Sequence, residues 1–253
     1  MQDQNHQVPT SFRSLKTLSR GEYGVPFKDA ELLLVNVPLQ PEEVRKILPW
    51  GLRPADPPRG TIVFAHYPKF PYGVPYHEAI LLVHVRTLLG RGVHCPWIVV
   101  DDDAAQIAGR EFLGYPKKIG RFAYSMDEGG LEASVTRRGV ELIKVHAKRG
   151  DREANPAPVF AQKTFNLGGP GQLFAVSPLL LFKPRETIHE SYSATVELEM
   201  KDSVLDPIAP MISGGPLSAR MVRMDILDGG YFFMAGLTGG RKWCLNTFNM
   251  RFR

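Results

Sequence analysis

The chain has 253 residues, 43% of them hydrophobic and 23% charged, which is the composition of a folded protein and not of a disordered one. Its 31 lysines and arginines against 26 acids leave a formal charge of +5, spread along the sequence, which argues against a basic stripe for nucleic acid. Two cysteines without a CxxC, Cys95 and Cys244, exclude a disulfide framework and a cysteine zinc site.

The opening stretch Met1 to Ser11 is polar and lacks the apolar core of a signal peptide. The longest apolar runs, Ala79 to Val83 and Pro178 to Phe182, fall far below the ~20 residues that span a bilayer. These features predict a soluble, cytoplasmic protein with neither a membrane nor a nucleic acid as partner.

In chain order, Glu31 to Val37 is the first strand, and Pro41 to Leu48 a short helix with proline at its start and Pro49 as its stop. Thr61 to Tyr67 and Ala79 to Thr87 are strands, rich in Val, Ile, Leu and Phe and bounded by turn residues. A second helix runs from about Asp102 to Leu113, capped by Asp101 or Asp102 and stopped at Gly114. Strands follow at Leu131 to Arg137, Val140 to Ala147, Ala194 to Met200 and Ala219 to Leu227. In Ala194 to Met200 apolar and polar residues alternate, the pattern of a strand with one face on a core and one in water. Too few helices separate the strands for a doubly wound parallel sheet. The pattern predicts one domain over residues 1–253, mainly β, built on a large antiparallel sheet. Residues 1–19 read as an N-terminal arm, and Gly168 to Gly171 as the most linker-like stretch.

Common catalytic motifs are absent: there is no phosphate-binding GxxxxGK[ST], no GxGxxG after a strand and no GxSxG. His77 and His84 lie seven apart, on opposite faces of a strand, and cannot share a metal. The acids Asp101 to Asp103 are more simply a helix cap than a cation site. Neither a metal nor a cofactor is expected.

The most informative segment is GREFLGYPKKIG, Gly109 to Gly120. Pro116 holds the chain extended, so Tyr115, Lys117 and Ile119 point one way and Lys118 the other. If the Lys117 face is buried, desolvation and the adjacent cation both disfavour its charged form. A neutral lysine is what attack on a carbonyl requires. Tyr115 on this reading is a packed aromatic or pocket wall, and Arg110 and Glu111 form a supporting ion pair on the helix.

This segment resembles the active-site motif of the acetoacetate decarboxylase family, whose founding enzyme is a standard example of a lysine activated by desolvation or a neighbouring cation. The resemblance implies a closed or cone-like sheet with a few flanking helices, assembled into homo-oligomers, and no cofactor. It implies that Lys117 forms a Schiff base with a small keto acid, that Lys118 is the neighbouring base, and that Glu78, in Tyr76-His77-Glu78, is the site glutamate. Coverage runs roughly from residue 20 to 227, with Asp206 to Met211 (DPIAPM) among the weaker matches. Asp228 to Arg253 reads as an extension without counterpart. Two departures stand out. The family's decarboxylases carry an arginine near the position of Ala30, and a second glutamate near that of Thr61 or Val63. Three functions follow: a lyase decarboxylating acetoacetate or a related beta-keto acid, an aldolase- or dehydratase-type enzyme using the same imine on pyruvate or another keto acid, and a non-catalytic binding protein for small acidic ligands.

Overall fold

Runs such as Leu32 to Val35 and Ala79 to Val83 are apolar at consecutive positions, which a strand tolerates only when both its faces are covered. The computed structural model of the chain describes residues 26–70, 74–159, 163–168 and 176–253, with backbone alone at Pro26 and at 227–234. In it the strands form one twelve-stranded sheet: β1 (Pro26–Pro38), β2 (Arg53–Pro54), β3 (Arg59–Tyr67), β4 (Tyr76–Thr87), β5 (Gly90–Val100), β6 (Lys117–Ile119), β7 (Arg121–Met126), β8 (Gly130–Arg137), β9 (Val140–Arg152), β10 (Lys163–Leu167), β11 (Val176–Met200) and β12 (Ser218–Gly239).

The order β10-β5-β4-β3-β1-β12-β11 closes on itself, because β10 also pairs with β11. Beyond β11 the sheet continues through β9, β8 and β7. The expected closed, mainly β architecture is therefore present, with one correction. Two pairings are parallel, β5 with β10 and β5 with β6. Side chains alternate between two buried clusters. In β1, Leu33, Val35 and Val37 join one with Trp97, Val99, Val145 and Met250, whereas Ala30, Leu32 and Leu34 join the other with Val63, Ile80, Ile98 and Met224.

Helix α1 (Pro41–Ile47) has proline in its first turn, Glu42 and Glu43 beside it, and Arg45 and Lys46 in the last turn, all favoured by the helix dipole. Helix α2 (Asp103–Leu113) starts where the Asp102 carboxylate accepts from Ala105 N at 2.7 Å and ends at Gly114 in the left-handed region, φ 67° and ψ 18°. Leu167 O would stand 2.9 Å from a Cβ at Gly114, a second reason for glycine there.

The segment read as an extension divides in two. Residues 228–239 complete β12, paired with β11 as far as Val176 and Gly239, and helix α3 (Arg241–Phe252) packs Trp243 and Cys244 on Leu167. Strand β11 starts at Val176 and not at Ala194; two prolines and register shifts at Lys183/Arg185 and Ile188/Glu190 hide its first half from pattern reading. The predicted arm 1–19 and residues 169–171 lie outside the described residues. Among those described, no helix is long and apolar enough to cross a membrane.

Candidate active site

Strand β6 is three residues long and lies parallel to β5, with Lys117 opposite Ile98 and Lys118 opposite Val99. Successive side chains leave a strand on opposite faces, so the two lysines enter the two different apolar clusters. Both are buried, at 6% and 4% exposure. Ile119 is 45% exposed, which corrects the expectation that it shares a buried face with Lys117; Tyr115 does pack on that side. The lysine stem passes directly beneath α2. A Cβ at Gly109 would stand 2.5 Å from Lys117 Cε and 2.6 Å from Cδ, so the motif's first glycine is space for the lysine. Arg110 Nη1 donates to Lys117 O at 3.0 Å and to Arg251 O at 3.1 Å, pinning β6 to α2 and α3. Glu111 is exposed and supplies no partner for this anchor.

Lys117 Nζ stands 2.6 Å from Glu78 Oε2. Glu78 is itself 4% exposed, held in β4 between Ala65 and Val100. The contact is close but poorly directed: among the described residues Oε2 makes no hydrogen bond of good angle, and Oε1 accepts only a long one from Tyr67 Oη at 3.4 Å. Aromatic rings form the surroundings. Tyr67 and Tyr76 stack at 4.8 Å, Phe70 meets Tyr76 edge-on at 4.9 Å, and Lys117 Nζ lies 5.4 Å from the centre of the Tyr76 ring. Burial pushes both phenols well above their ordinary range, and the Glu78 charge pushes them further. Burial does the same to the Cys95 thiol, with Glu78 adding to it.

Lys118 is held differently. Its Nζ donates to Asp206 Oδ1, to Leu205 O at 3.4 Å and to Asn249 O at 3.5 Å. Trp97 Nε1 donates to the same carboxylate at 2.9 Å, and Arg137 Nη1 comes within 3.5 Å of Oδ2. Burial lowers the lysine to about 8, against the opposing pull of Asp206.

Of the residues singled out in the sequence, Lys117, Glu78 and Tyr115 come together, Lys118 and Arg110 stand behind them, and Glu111 does not take part. Sequence reading missed Asp206, Tyr67 and Tyr76. The phenols follow the alternation of their strands, since Tyr67 faces the way Ala65 does and sits opposite Tyr76; Asp206 carries no local signal. The three acids divide as caps do. Asp102 closes α2, while Asp101 accepts from His77 N and pairs with its ring, both at 2.7 Å. Burial raises the Asp101 carboxyl, but the His77 hydrogen bonds outweigh it and hold the group below its ordinary value. Among the described residues one group could gather around a cation, Asp29, His189 and Asp225. Its oxygens are already taken by Lys28, Lys69 and Arg223, a poor setting for a divalent ion.

The family model described as acetoacetate decarboxylase matches residues 9–235. Among solved structures, the acetoacetate decarboxylase of Legionella pneumophila superposes with a TM-score of 0.68 at 20% identity, covering 82% of this chain and 86% of that one. An acetoacetate decarboxylase-like enzyme from Sphingomonas wittichii gives 0.64 at 19%, covering 81% and 91%. The enduracididine biosynthesis enzyme MppR complexed with pyruvate gives 0.64 at 17%, covering 81% and 88%. At such identities these likenesses establish the fold. No curated protein matches the sequence.

Proposed function

Because the chain belongs to the acetoacetate decarboxylase family, we propose that it is a Schiff-base-forming lyase acting on acetoacetate or a related beta-keto acid, with Lys117 as nucleophile. The observation that carries this reading is the buried Lys117 amine 2.6 Å from a buried carboxylate among aromatic rings. Glu78 is close enough to take the proton that Lys117 must lose before attack. The amine adds to the ketone carbon, and loss of water leaves an iminium. The bond from the alpha carbon to the carboxylate breaks, its electrons pass into the iminium, and carbon dioxide departs. Proton return to the enamine carbon and hydrolysis release the ketone and regenerate Lys117. Arg110 is a positioning residue for Lys117, and Lys118 is held outside the pocket.

A second reading rests on Ala30 and on Thr61 or Val63. All three are buried and uncharged, and the resemblance puts them near positions where the family's decarboxylases carry charge. With that apparatus changed, the same iminium can serve aldol-type addition, dehydration or hydration, and pyruvate is the ligand of one structural relative.

Borohydride reduction in the presence of acetoacetate or pyruvate tests both readings. The expected result is an isopropyl or carboxyethyl adduct, respectively, on the Lys117 peptide and none in Lys117→Ala. Carbon dioxide release from acetoacetate selects the lyase. Absence of any adduct from a folded protein leaves the binding-protein alternative.

A further inference from the structure

Strand β2 places Arg53 directly opposite Arg86 of β4. Like charges facing each other across a ladder destabilise a sheet. Neither arginine has an acidic partner within 4 Å among the described residues; Arg86 Nε instead donates to Pro54 O at 3.3 Å, laying its side chain across β2. Both border a cavity of about 520 Å³, and Arg45 of α1 stands at the same cavity. Among the described residues Arg45 is paired only with Glu42, at 2.7 Å, and Glu42 is 79% exposed. Three arginines thus line one space whose lining includes a single acid, Asp56. The remaining wall is apolar, with Leu48, Leu52, Pro54 and Pro58.

A cavity of this size suits a small molecule, apolar walls hold a hydrophobic body, and arginine forks match the oxygens of a phosphate. Three cations suit a phosphate dianion better than a single carboxylate. We propose that this cavity is a second binding site, separate from Lys117, for a phosphorylated small molecule with an apolar body. The ligand supplies the negative charge that the facing Arg53 and Arg86 lack. Nothing in this proposal depends on imine formation at Lys117.

Calorimetric titration of the full chain with phenyl phosphate, inorganic phosphate and phenylacetate tests it. The expected result is saturable binding of one phenyl phosphate per chain, at least about tenfold tighter than either other probe, because both halves of the ligand are needed. Arg53→Gln and Arg86→Gln should each weaken that binding about tenfold or more. Arg53→Gln should also raise the thermal midpoint of the unliganded protein, since it relieves the facing charges, while borohydride trapping at Lys117 stays unchanged. The proposal is overturned if phenyl phosphate does not saturate, or if both variants bind it like the parent. It is also overturned if inorganic phosphate binds equally well, an adventitious ion only, or if the midpoint of Arg53→Gln falls.

Discussion

Lys117 and Lys118 are neighbours in one short strand, both buried and both against a buried carboxylate, yet their surroundings are opposite in kind. Around Lys118 the carboxylate and the ammonium are both engaged: Asp206 Oδ1 accepts from Trp97 and Lys118, Arg137 Nη1 stands 3.5 Å from Oδ2 without a directed hydrogen bond, and the ammonium reaches three acceptors. Around Lys117 the carboxylate is close but undirected, and the neighbours are rings. A buried pair held by directed hydrogen bonds fixes a fold, whereas a poorly directed one keeps its groups available to an incoming molecule. One strand thus holds a hydrogen-bonded ion pair on one face and, on the function proposed above, the reacting pair on the other.

The largest effect that could break this comparison comes from Asp206→Asn, which leaves Lys118 and Arg137 buried without a counter-charge. It should cost about 3–5 kcal/mol in urea unfolding. The double variant Lys117→Met with Glu78→Leu removes a whole pair from an apolar setting; it should be no less stable than the parent, yet form no borohydride adduct. If the double variant unfolds more easily than Asp206→Asn, the division of roles between the two faces is wrong.

Gly109→Ala sharpens the Lys117 side, because its Cβ would collide with the Lys117 stem. The trapping rate should fall about 100-fold through displacement of the amine, with about 1–3 kcal/mol lost to overpacking. The structural side has a pH signature. Lys118 titrates near 8 in the fold and near its ordinary 10.5 when unfolded. Between those values the unfolded chain keeps a proton that the folded one has released, so stability rises with pH. From pH 8 to roughly 9.5 the gain should be about 1–2 kcal/mol, read as urea midpoints and absent in Lys118→Met. The window closes near pH 10, where Tyr67 and Tyr76, both raised, reverse the slope. Smallest of all, Glu111→Ala should change unfolding by no more than about 0.5 kcal/mol and leave trapping intact. Arg110→Ala, next to it, should slow trapping through the loosened Lys117 carbonyl.

How much of this the sequence discloses follows from the range of each interaction. The Asp102 cap, the Gly114 stop and the proline that opens α1 are local, so single residues announce them. The paired lysines stand out as a motif, and their alternation on the strand gives their opposite directions. Asp206 lies 88 positions from Lys118, beside a proline in a loop, and nothing near it indicates burial. Helix α3 has a stripe at Trp243, Cys244, Thr247, Met250 and Arg251, but Gly240 offers no side-chain cap and two stripe members are polar, so its periodicity is hard to see. Strand β6 is too short for any period at all.

The anchoring of β6 has a temporal side. Lys118 reaches an acceptor 131 positions downstream, at Asn249, and Arg110 reaches one 141 positions downstream, at Arg251. During synthesis the motif therefore leaves the ribosome long before the helix that locks it exists. Contacts at such separations close late, after the local hairpins. A refolding chain should then regain its bulk fluorescence before it regains the capacity to form an imine, with the interval set by the docking of α3.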